Sequence, residues 1–581
     1  MNRNTEMHFS NTPQISLRRS KFDESHSHKT TFNTGDCIPI FTDMDILPGD
    51  TVQMDIAELV RMATPIYPIM DNLYCDVMFF FVPHRLVWDH WAAFWGENDD
   101  PWIQETEYET PQITAPEGGW TEGTLADYMG IPTKVPNKSV SAFGFRAYAK
   151  IWNDWFRDEN LKKNCHIYTD ETTRQGTNGT GDYVLDVELG GMPAKAAKYA
   201  DIFTKALPLP QRGPAVTIPT GTEARILPET WNVKAGTNLP VGTRTETHSF
   251  NNGSINMGGT TAGQTYLDLI VTPVSSSSGG YWGLKGVPYT STAPTSAVQK
   301  NIVNLWTDAE SELSLDTSQL YADLTTATAT TINALRTAFA IQKYYENAGL
   351  HGTRYIEYIR GVFGVTSSDA RLQRSEYLGG HRFPLNVDQV IQTSSTDATT
   401  PQGNAAGFSC TVNQGNMFTK SFEEHGTLMA IAVVRTEHTY QQGLHKQWTR
   451  KKWLHYYNPF FANLGESALL NENIYAQGTD EDQEAFGYQE AWAEYRYKEN
   501  RCSGYMRSNA TGSLDVWHFA DDYNSLPILG TTWIDEPVEN VDRTIAVTSQ
   551  RSHQFIADFF FKCFYTRPMP VYSVPGLIDH V

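Results

Sequence analysis

Residues 552–564 read SHQFIADFFFKCF, and this stretch decides the fold class. One of its two series of alternate positions is almost wholly apolar: His553, Phe555, Ala557, Phe559, Phe561 and Cys563. Successive side chains of a strand point to opposite faces, so this alternation is typical of a half-buried β-strand. The sequence therefore predicts a strand close to its end.

Strand signals recur in both outer thirds of the chain. Alternation from Cys75 to Phe81 ends at Pro83, and a Pro-Gly-Asp turn precedes another alternating segment in LPGDTVQMDI, residues 47–56. LMAIAVVRTEHTY (428–440) reads as a buried strand and FGYQEAWAEYRYK (486–498) as an alternating one. We expect an antiparallel sandwich, because strands and helices do not interleave as they do in a parallel sheet.

Helical spacing occurs between these strand-rich ends. Apolar residues three and four apart predict helices over 86–95, over Ser141 to about Asn160, and over TTINALRTAFAIQKYYENAG (330–349). The overall expectation is a mainly β protein with a few helices and long loop insertions.

Composition excludes several classes of protein. Hydrophobic residues make up 40% of the 581 residues, which excludes a globally disordered chain. A formal net charge of −21 makes the chain a poor general nucleic-acid binder unless its cations gather on one face. The longest apolar runs, such as VMFFFV (77–82), fall far short of the roughly 20 residues of a membrane span. The beginning, MNRNTEMHFSNTPQ, does not resemble a signal peptide, so we expect a cytosolic protein without membrane insertion.

Cysteine spacing argues against a disulfide framework or a zinc site. No two of the six cysteines form a CxxC or similarly short pair: Cys37, Cys75, Cys165, Cys410, Cys502 and Cys563. In a reducing compartment we expect single, reduced, mostly buried thiols.

Two segments differ from the rest. Residues 1–35 are polar and mildly basic without an apolar period, which predicts an extended N-terminal arm rather than a packed element. Residues 236–300 contain NNGSINMGGTTAGQ and SSSSGG and only five charged residues. A stretch this long is either a disordered loop or a functional excursion.

Motifs for catalysis are weak or missing. The sequence contains no Gly-Lys dipeptide of a phosphate loop and no HExxH, and GFSCT (407–411) lacks the second glycine of a nucleophile elbow. Asp43, Asp45 and Asp50 fit a calcium loop poorly, and the adjacent Glu423, Glu424 and His425 cannot all face one site. Catalytic, cofactor-binding and metal-binding residues are therefore not assigned.

The best cation–aromatic cluster is Arg450, Lys451 and Lys452 between Trp448 and Trp453. Such a cluster can stack bases and hold phosphates. A solvated loop or a subunit contact is the alternative interpretation, and the sequence leaves both open.

Several long segments resemble the major capsid proteins of the Microviridae, in particular those of the gokushovirus branch. They occur in order along nearly the whole chain: HKTTFNTGDCIPI, MDNLYCDVMFFFVPHRLVWDHWAAFWGE, DIFTKALPLPQRGPAV, RYIEYIRGVFGVTSSDARLQRSEYLGG, HTYQQG, EAWAEYRYKENRCSGYMR and FIADFFFKCFYTRPMPVYSVPGLIDH. Ser375 departs from the family pattern, where a proline is expected, and residues from about 215 to 320 match nothing in the family.

The resemblance implies an eight-stranded antiparallel jelly roll, here residues 36–581, and a sixty-copy icosahedral shell around circular single-stranded DNA. It also implies a variable surface insertion, residues 215–310, which protrudes at the three-fold axes and attaches to a host receptor. A separate small basic DNA-packaging protein is the further partner that it implies. The protein would reside in the virion and be assembled in the cytoplasm of a bacterial host.

These expectations select candidate residues. Arg3, Arg18, Arg19, Lys21 and Lys29 of the arm are the first DNA-facing candidates, and Arg450, Lys451 and Lys452 are the second set. The arm can instead clasp a neighbouring subunit. Tyr281, Trp282 and Tyr289 are the candidates for burial at the three-fold protrusion. The alternative function is a cytosolic β-sandwich carbohydrate-binding module or glycosidase, which would form a small oligomer with paired carboxylates in a cleft.

Overall fold

The structure is a computed structural model. It describes residues 18–97, 108–214, 216, 332–352, 354–396 and 401–572, together with five short strands between 225 and 323. Of those five strands, and of Ile332, only the backbone is described.

The first of two large sheets contains five strands. They are β1 (Ser20–Asp23), β2 (His26–Phe32), β4 (Thr51–Met62), β7 (Thr411–Ser421) and β9 (Phe555–Arg567). The strands β1 and β2 pair with successive parts of β9 and so share one position at the sheet edge. The order across the sheet is therefore β1/β2, β9, β4, β7, with every pair antiparallel.

The second large sheet contains four strands. They are β3 (Ile38–Ile46), β5 (Leu73–Pro83), β6 (Glu376–Pro384) and β8 (Gly426–Thr436). The order is β6, β5, β8, β3, again antiparallel throughout. The central strand β8 is buried along almost its whole length, which explains its uninterrupted apolar sequence.

The two sheets pack face to face around one core. Phe79 of β5 lies with its ring centroid 6.4 Å from that of Phe561 on β9 and 5.6 Å from that of Phe418 on β7. Phe81 and Phe422 make a closer contact across the sheets, at 4.5 Å. Consecutive strands from β2 to β9 alternate between the sheets except at β5 and β6. Eight strand positions connected in this way form a jelly roll, which confirms the predicted fold class.

Two connections of the jelly roll are very long. Residues 84–375 join β5 to β6, and residues 437–554 join β8 to β9. Three of the remaining strands of the main unit lie in the first connection: Gln112–Thr114, Ser139–Ser141 and Arg174–Gln175. Val387–Ile391 and Ala405–Ser409 lie between β6 and β7. The second connection contains Thr439–Tyr440, Ser467–Leu470, Ala485–Gln489 and Asn500–Arg501. The α-helices are Trp91–Phe94, Leu125–Tyr128, Phe143–Ile151, Tyr183–Asp186, Ile332–His351, Tyr355–Tyr358, Asn471–Ile474, Ala493–Arg496 and Glu539–Asp542.

Residues 216–341 form a compact unit of their own. Its described backbone contains a three-stranded antiparallel sheet of Val271–Ser276, Gly279–Lys285 and Ile302–Leu305. Arg225–Pro228 pairs with Leu320–Asp323 in a second, two-stranded sheet.

Most predicted elements of the main unit are confirmed. The helix expected from Ser141 to about Asn160 runs from Phe143 to Ile151 and continues as a π-helical turn over Trp152–Phe156. The helix expected over residues 86–95 is shorter, because only Trp91–Phe94 is α-helical. The expected strand over residues 486–498 is wrong beyond Gln489, because Trp492 takes a left-handed conformation (φ 68°) and starts a short helix instead.

The prediction that residues 1–35 contain no packed element is also wrong. Residues 20–32 pair with β9 as β1 and β2, and Phe32 is fully buried in the core. His26 is exposed, but it lies on the core side of β2 and stacks on Phe41 of the second sheet, 5.5 Å between centroids. Residues 1–17 lie outside the described residues.

Two further sequence features have a clear place in the fold. All six cysteines are unbonded, and four of them are buried: Cys37, Cys75, Cys165 and Cys563. The amide N–H of Ser375 donates to the Asp154 carboxylate at 3.0 Å, and the Trp155 indole N–H donates to the Ser375 carbonyl at 3.1 Å. A proline has no amide hydrogen to donate there, so the departure from the family pattern at Ser375 provides a hydrogen bond.

Candidate assembly and DNA-facing surfaces

The structure divides the predicted cations of the arm into two groups. Arg18 and Arg19 are exposed just before β1. The ammonium group of Lys21 lies 4.0 Å from the centre of the Phe564 ring, and that of Lys29 lies 3.1 Å from an oxygen of Asp558. Both lysines thus contact β9 of their own chain, whereas Arg18 and Arg19 remain available. Arg3 lies outside the described residues.

The outer face of the first sheet mixes charged and apolar side chains. Ile556 and Phe560 of β9 are exposed there, and the facing positions on β2 are Thr31 and Ser27. Arg18 and Arg19 precede β1 at the edge of this sheet, and two lysines of the face, Lys29 and Lys562, are paired with Asp558 and Asp55.

The second predicted cation group is also divided. The guanidinium of Arg450 donates to Glu494 at 3.2 Å and lies 4.3 Å from the centre of the Tyr495 ring. Lys451 and Lys452 are exposed and form no ion pair within the described part of the chain. Arg450 therefore holds the loop in place, and the two lysines are the available charges.

These residues belong to a larger apolar surface that the sequence reasoning missed. We call residues 444–464 the aromatic loop. Apart from three single 3₁₀ turns it has no regular structure, and it exposes a run of large side chains: Trp448, Trp453, Leu454, Tyr456, Tyr457, Phe460 and Leu464. Phe460 is 93% exposed. The signal in the sequence was WLHYYNPFF, residues 453–461, which is rich in aromatic residues but follows neither helical nor strand spacing.

The candidates for the three-fold protrusion lie in the separate unit. Tyr281 and Trp282 are part of the strand Gly279–Lys285, where Trp282 pairs with Pro273 on one side and with Leu305 on the other. Their side chains and the whole of Tyr289 lie outside the described residues, so their burial at an axis stays a prediction.

A buried polar network joins the end of β8 to the β8–β9 connection. The two ring nitrogens of His438 each lie 3.1 Å from a carboxylate oxygen, one of Asp521 and the other of Glu536. Lys198 also approaches Asp521, at 3.5 Å. Burial disfavours the charged imidazole, but the two carboxylates outweigh it and raise the pKa of His438 to about 10. Because every charge in the network is paired, its role is to fix the connection against the sandwich.

A second buried carboxylate is shared by two arginines. Asp76 of β5 accepts a hydrogen bond from Arg382 at 2.6 Å and from the Tyr199 hydroxyl at 2.9 Å, and it also pairs with Arg435. Burial alone would raise the pKa of Asp76, but the two guanidinium groups lower it.

One cleft has some of the features that a glycosidase would need. It has a volume of about 520 Å³, and Glu466 and Glu490 are among its lining residues. Burial, together with the neighbouring Glu490 and Glu346, raises the pKa of Glu466 to about 7. However, Glu490 already forms a 2.5 Å ion pair with Arg496. The cleft therefore offers one carboxyl group with a raised pKa and a partner that is already neutralised.

Within the described ranges, no group of three or more His, Cys, Asp or Glu side chains is arranged to hold a metal ion. None of the helices in that part of the chain is long and apolar enough to cross a membrane.

The jelly roll is shared by viral capsid proteins, lectins and cupins. A wide exposed apolar surface is typical of a protein that associates with other chains, and a chain with these two features fits the shell-forming class, viral capsid proteins. Comparison with known proteins confirms that class. The family model described as capsid protein (F protein) matches residues 10–577.

Three relatives extend over nearly the whole chain. The chain is 41% identical to capsid protein VP1 of Spiroplasma virus 4 over 566 residues, which are 97% of this chain and 96% of that protein. It is 38% identical to capsid protein VP1 of Chlamydia phage 1 (98% and 97% covered) and 39% identical to that of Bdellovibrio phage phiMH2K (99% and 98% covered). The chain belongs to this family of Microviridae capsid proteins, of the gokushovirus type. It is a component of the virion, and the comparisons do not support a carbohydrate-binding module or glycosidase.

Proposed function

We propose that sixty copies of this chain form an icosahedral shell around a circular single-stranded DNA genome, and that the chain has no enzymatic activity. The observation that supports this most strongly is the eight-position jelly roll in a chain related from end to end to Microviridae capsid proteins. Such a roll closes its core within one chain and leaves the long connections for contacts between copies.

Negative-stain microscopy and sedimentation of the purified chain test the shell. We expect particles of one uniform diameter and no hydrolysis of glycan substrates between pH 4 and pH 9. Monomers or small oligomers at all protein concentrations would contradict the proposal. Turnover that depends on Glu466 would support the cleft as an active site instead.

The charge of the shell requires a source of cations for the DNA. Sixty copies at −21 each carry about −1260 formal charges, so the mean field of the shell repels phosphates. We propose that a separate small basic protein supplies most of the neutralisation and that Arg18 and Arg19 contribute from the arm. Lys21 and Lys29 contribute less, because both already contact β9.

Salt dependence of DNA binding tests the arm. On a single strand each phosphate contact contributes about 0.7 to the logarithmic salt slope, so Arg18→Ala with Arg19→Ala lowers the slope by about 1.4 per arm. Lys138→Ala with Lys163→Ala is the matched control, because both lysines are exposed and form no ion pair in the described residues. An unchanged slope with impaired assembly would show that the arm clasps a neighbouring subunit.

We further propose that residues 215–310 protrude at the three-fold axes and contact a host receptor. The support is the separate compact unit over residues 216–341 and the sparse charge of its sequence. Limited proteolysis should cut this segment in free subunits and spare it in particles. Equal cutting in both would contradict three-fold packing, and an unchanged host range after exchange of the segment would contradict the receptor contact.

A further inference from the structure

The aromatic loop is an ordered surface that the described residues of its own chain leave uncovered. Besides the Arg450–Glu494 pair, the Trp492 indole N–H donates to the Phe461 carbonyl at 2.9 Å. The Tyr457 amide N–H donates to the Tyr495 hydroxyl at 3.3 Å. The loop is thus held to residues 492–495 at several points. Its rings are exposed although its backbone is fixed.

Phe460 is the most exposed ring of the aromatic loop. It lies in the 3₁₀ turn Pro459–Phe461, whose first residue is a proline, and the Asn458 side chain accepts a hydrogen bond from the Phe460 amide at 3.1 Å. Proline and the capping bond fix the backbone, so little conformational entropy remains to be lost on binding. Rigid, exposed aromatic side chains of this kind are typical anchors of protein–protein interfaces.

The exposed lysines of this loop have a complement of opposite charge elsewhere on the same chain. We call residues 479–484 the acidic turn. Asp480, Glu481 and Glu484 are exposed in it, and none of them forms an ion pair within the described chain. Lys451 and Lys452 are equally unpaired. Copies with a net charge of −21 repel each other on average, so contacts between them need local sites where cations meet anions.

We propose that the aromatic loop of one copy docks on the acidic turn of a second copy. Phe460 and its neighbours would supply the apolar centre of the interface, and Lys451 and Lys452 would pair with Asp480 and Glu481 across it. The inference rests on the proposed shell, and it names one pair of surfaces that joins the copies.

A second copy fits this surface better than single-stranded DNA does. Only two exposed cations, Lys451 and Lys452, lie on the loop, because Glu494 neutralises Arg450 and the Lys446 ammonium group donates to the Ala468 carbonyl at 3.1 Å. Two phosphate contacts account for a salt slope of only about 1.4, which is weak for a nucleic-acid site. The aliphatic Leu454 and Leu464 are also exposed there, and they offer no ring on which a base can stack.

Charge reversal in the full chain tests the docking. Lys451→Glu with Lys452→Glu, or Asp480→Lys with Glu481→Lys, should weaken association between copies by about a hundredfold in sedimentation at low salt. The fourfold variant, which carries both reversals, should recover association to within about tenfold of the original. Lys138→Glu with Lys163→Glu makes the same change in net charge as the lysine reversal, at exposed sites elsewhere, and should leave association unchanged.

The outcomes separate this docking from the proposed shell. Wild-type chain that forms no particles overturns the shell, and the docking with it. Wild-type particles together with normal assembly of either reversal, or no recovery in the fourfold variant, overturn the docking alone. Normal assembly with lower single-stranded DNA content in the lysine reversal also overturns it, because the lysines then contact nucleic acid. A thermal unfolding transition that matches the wild type shows that each variant is folded.

Discussion

Phe79 and Phe460 are one residue type in the two most different surroundings of the described chain. Phe79 is fully buried between the sheets, in contact with Phe418 and Phe561, whereas Phe460 is 93% exposed on a fixed turn. The core between the sheets is closed within one copy, whereas the aromatic loop leaves its large apolar side chains exposed. The difference separates the residues that stabilise the subunit from those that are available to join subunits.

Truncation of the two phenylalanines should have the largest effects. One substitution should reduce the stability of the subunit, and the other should reduce its assembly. Phe79→Ala should lower the free energy of unfolding of the subunit by about 3–5 kcal/mol, because it leaves a cavity in the core. Phe460→Ala should change it by less than about 0.5 kcal/mol and reduce particle yield instead. Urea unfolding and sedimentation of the same preparations measure the two quantities. Equal losses of subunit stability would remove the distinction between the regions.

The buried network of His438 should stabilise the subunit through paired charges, as Phe79 does through apolar contacts. His438→Gln should destabilise the subunit by about 3 kcal/mol near pH 7, because it leaves the buried Glu536 without its cation and Asp521 with Lys198 alone. The folded pKa of His438 is raised from 6.5 to about 10, so its contribution is complete below about pH 6.5 and is lost as the pH rises through about 10.

The measurement for His438 is the difference in unfolding free energy between wild type and variant from pH 6 to pH 10.5. That difference should shrink as the pH rises. His455→Gln, at an exposed histidine, serves as the control and should show no such trend. A difference independent of pH would mean that the imidazole is not charged in the folded chain.

Substitution of Glu466 should have a smaller effect on stability than substitution of Phe79 or His438. It should stabilise the subunit, whereas those two substitutions destabilise it. Its folded pKa is raised from 4.5 to about 7, so the folded state loses stability as the pH rises between these values. Glu466→Gln should therefore unfold at the same temperature as wild type below pH 4.5 and about 1–2 °C higher at pH 8. Differential scanning calorimetry at the two pH values decides. A lower unfolding temperature at pH 8 would show that the carboxylate has a cationic partner.

The sequence predicts the parts of this molecule in which local pattern and burial agree. The alternation around Phe559 and around Phe79 corresponds to β9 and β5, and the apolar run around Ile431 corresponds to β8. Phe79 and Phe559 are buried between the two sheets, and Ile431 is buried on the opposite face of the second sheet. Such positions need no knowledge of distant contacts.

The predictions that the structure does not support depend on contacts between residues that are distant in the sequence, or on the lack of such contacts. The strand β2 reads as polar because His26 and His28 take inward positions, where contacts with Phe41 and with the Ile40 carbonyl accommodate them. Arg450 looks like a free cation because its partner, Glu494, is 44 residues away in the sequence. Phe460 lies in an irregular loop, so no periodicity marks it. In all three cases a long-range contact, or the lack of one, decides the outcome.

The place of β9 in the first sheet has a consequence for synthesis. This strand lies between β2 and β4, so β4 has its neighbour on that side only after residues 555–567 have been made. At about 5–20 residues per second, the 493 residues from Met62 to Phe555 take roughly 25 to 100 seconds to translate. During that time a partly made chain has an incomplete sandwich, so incomplete chains lack the closed subunit from which a shell is built.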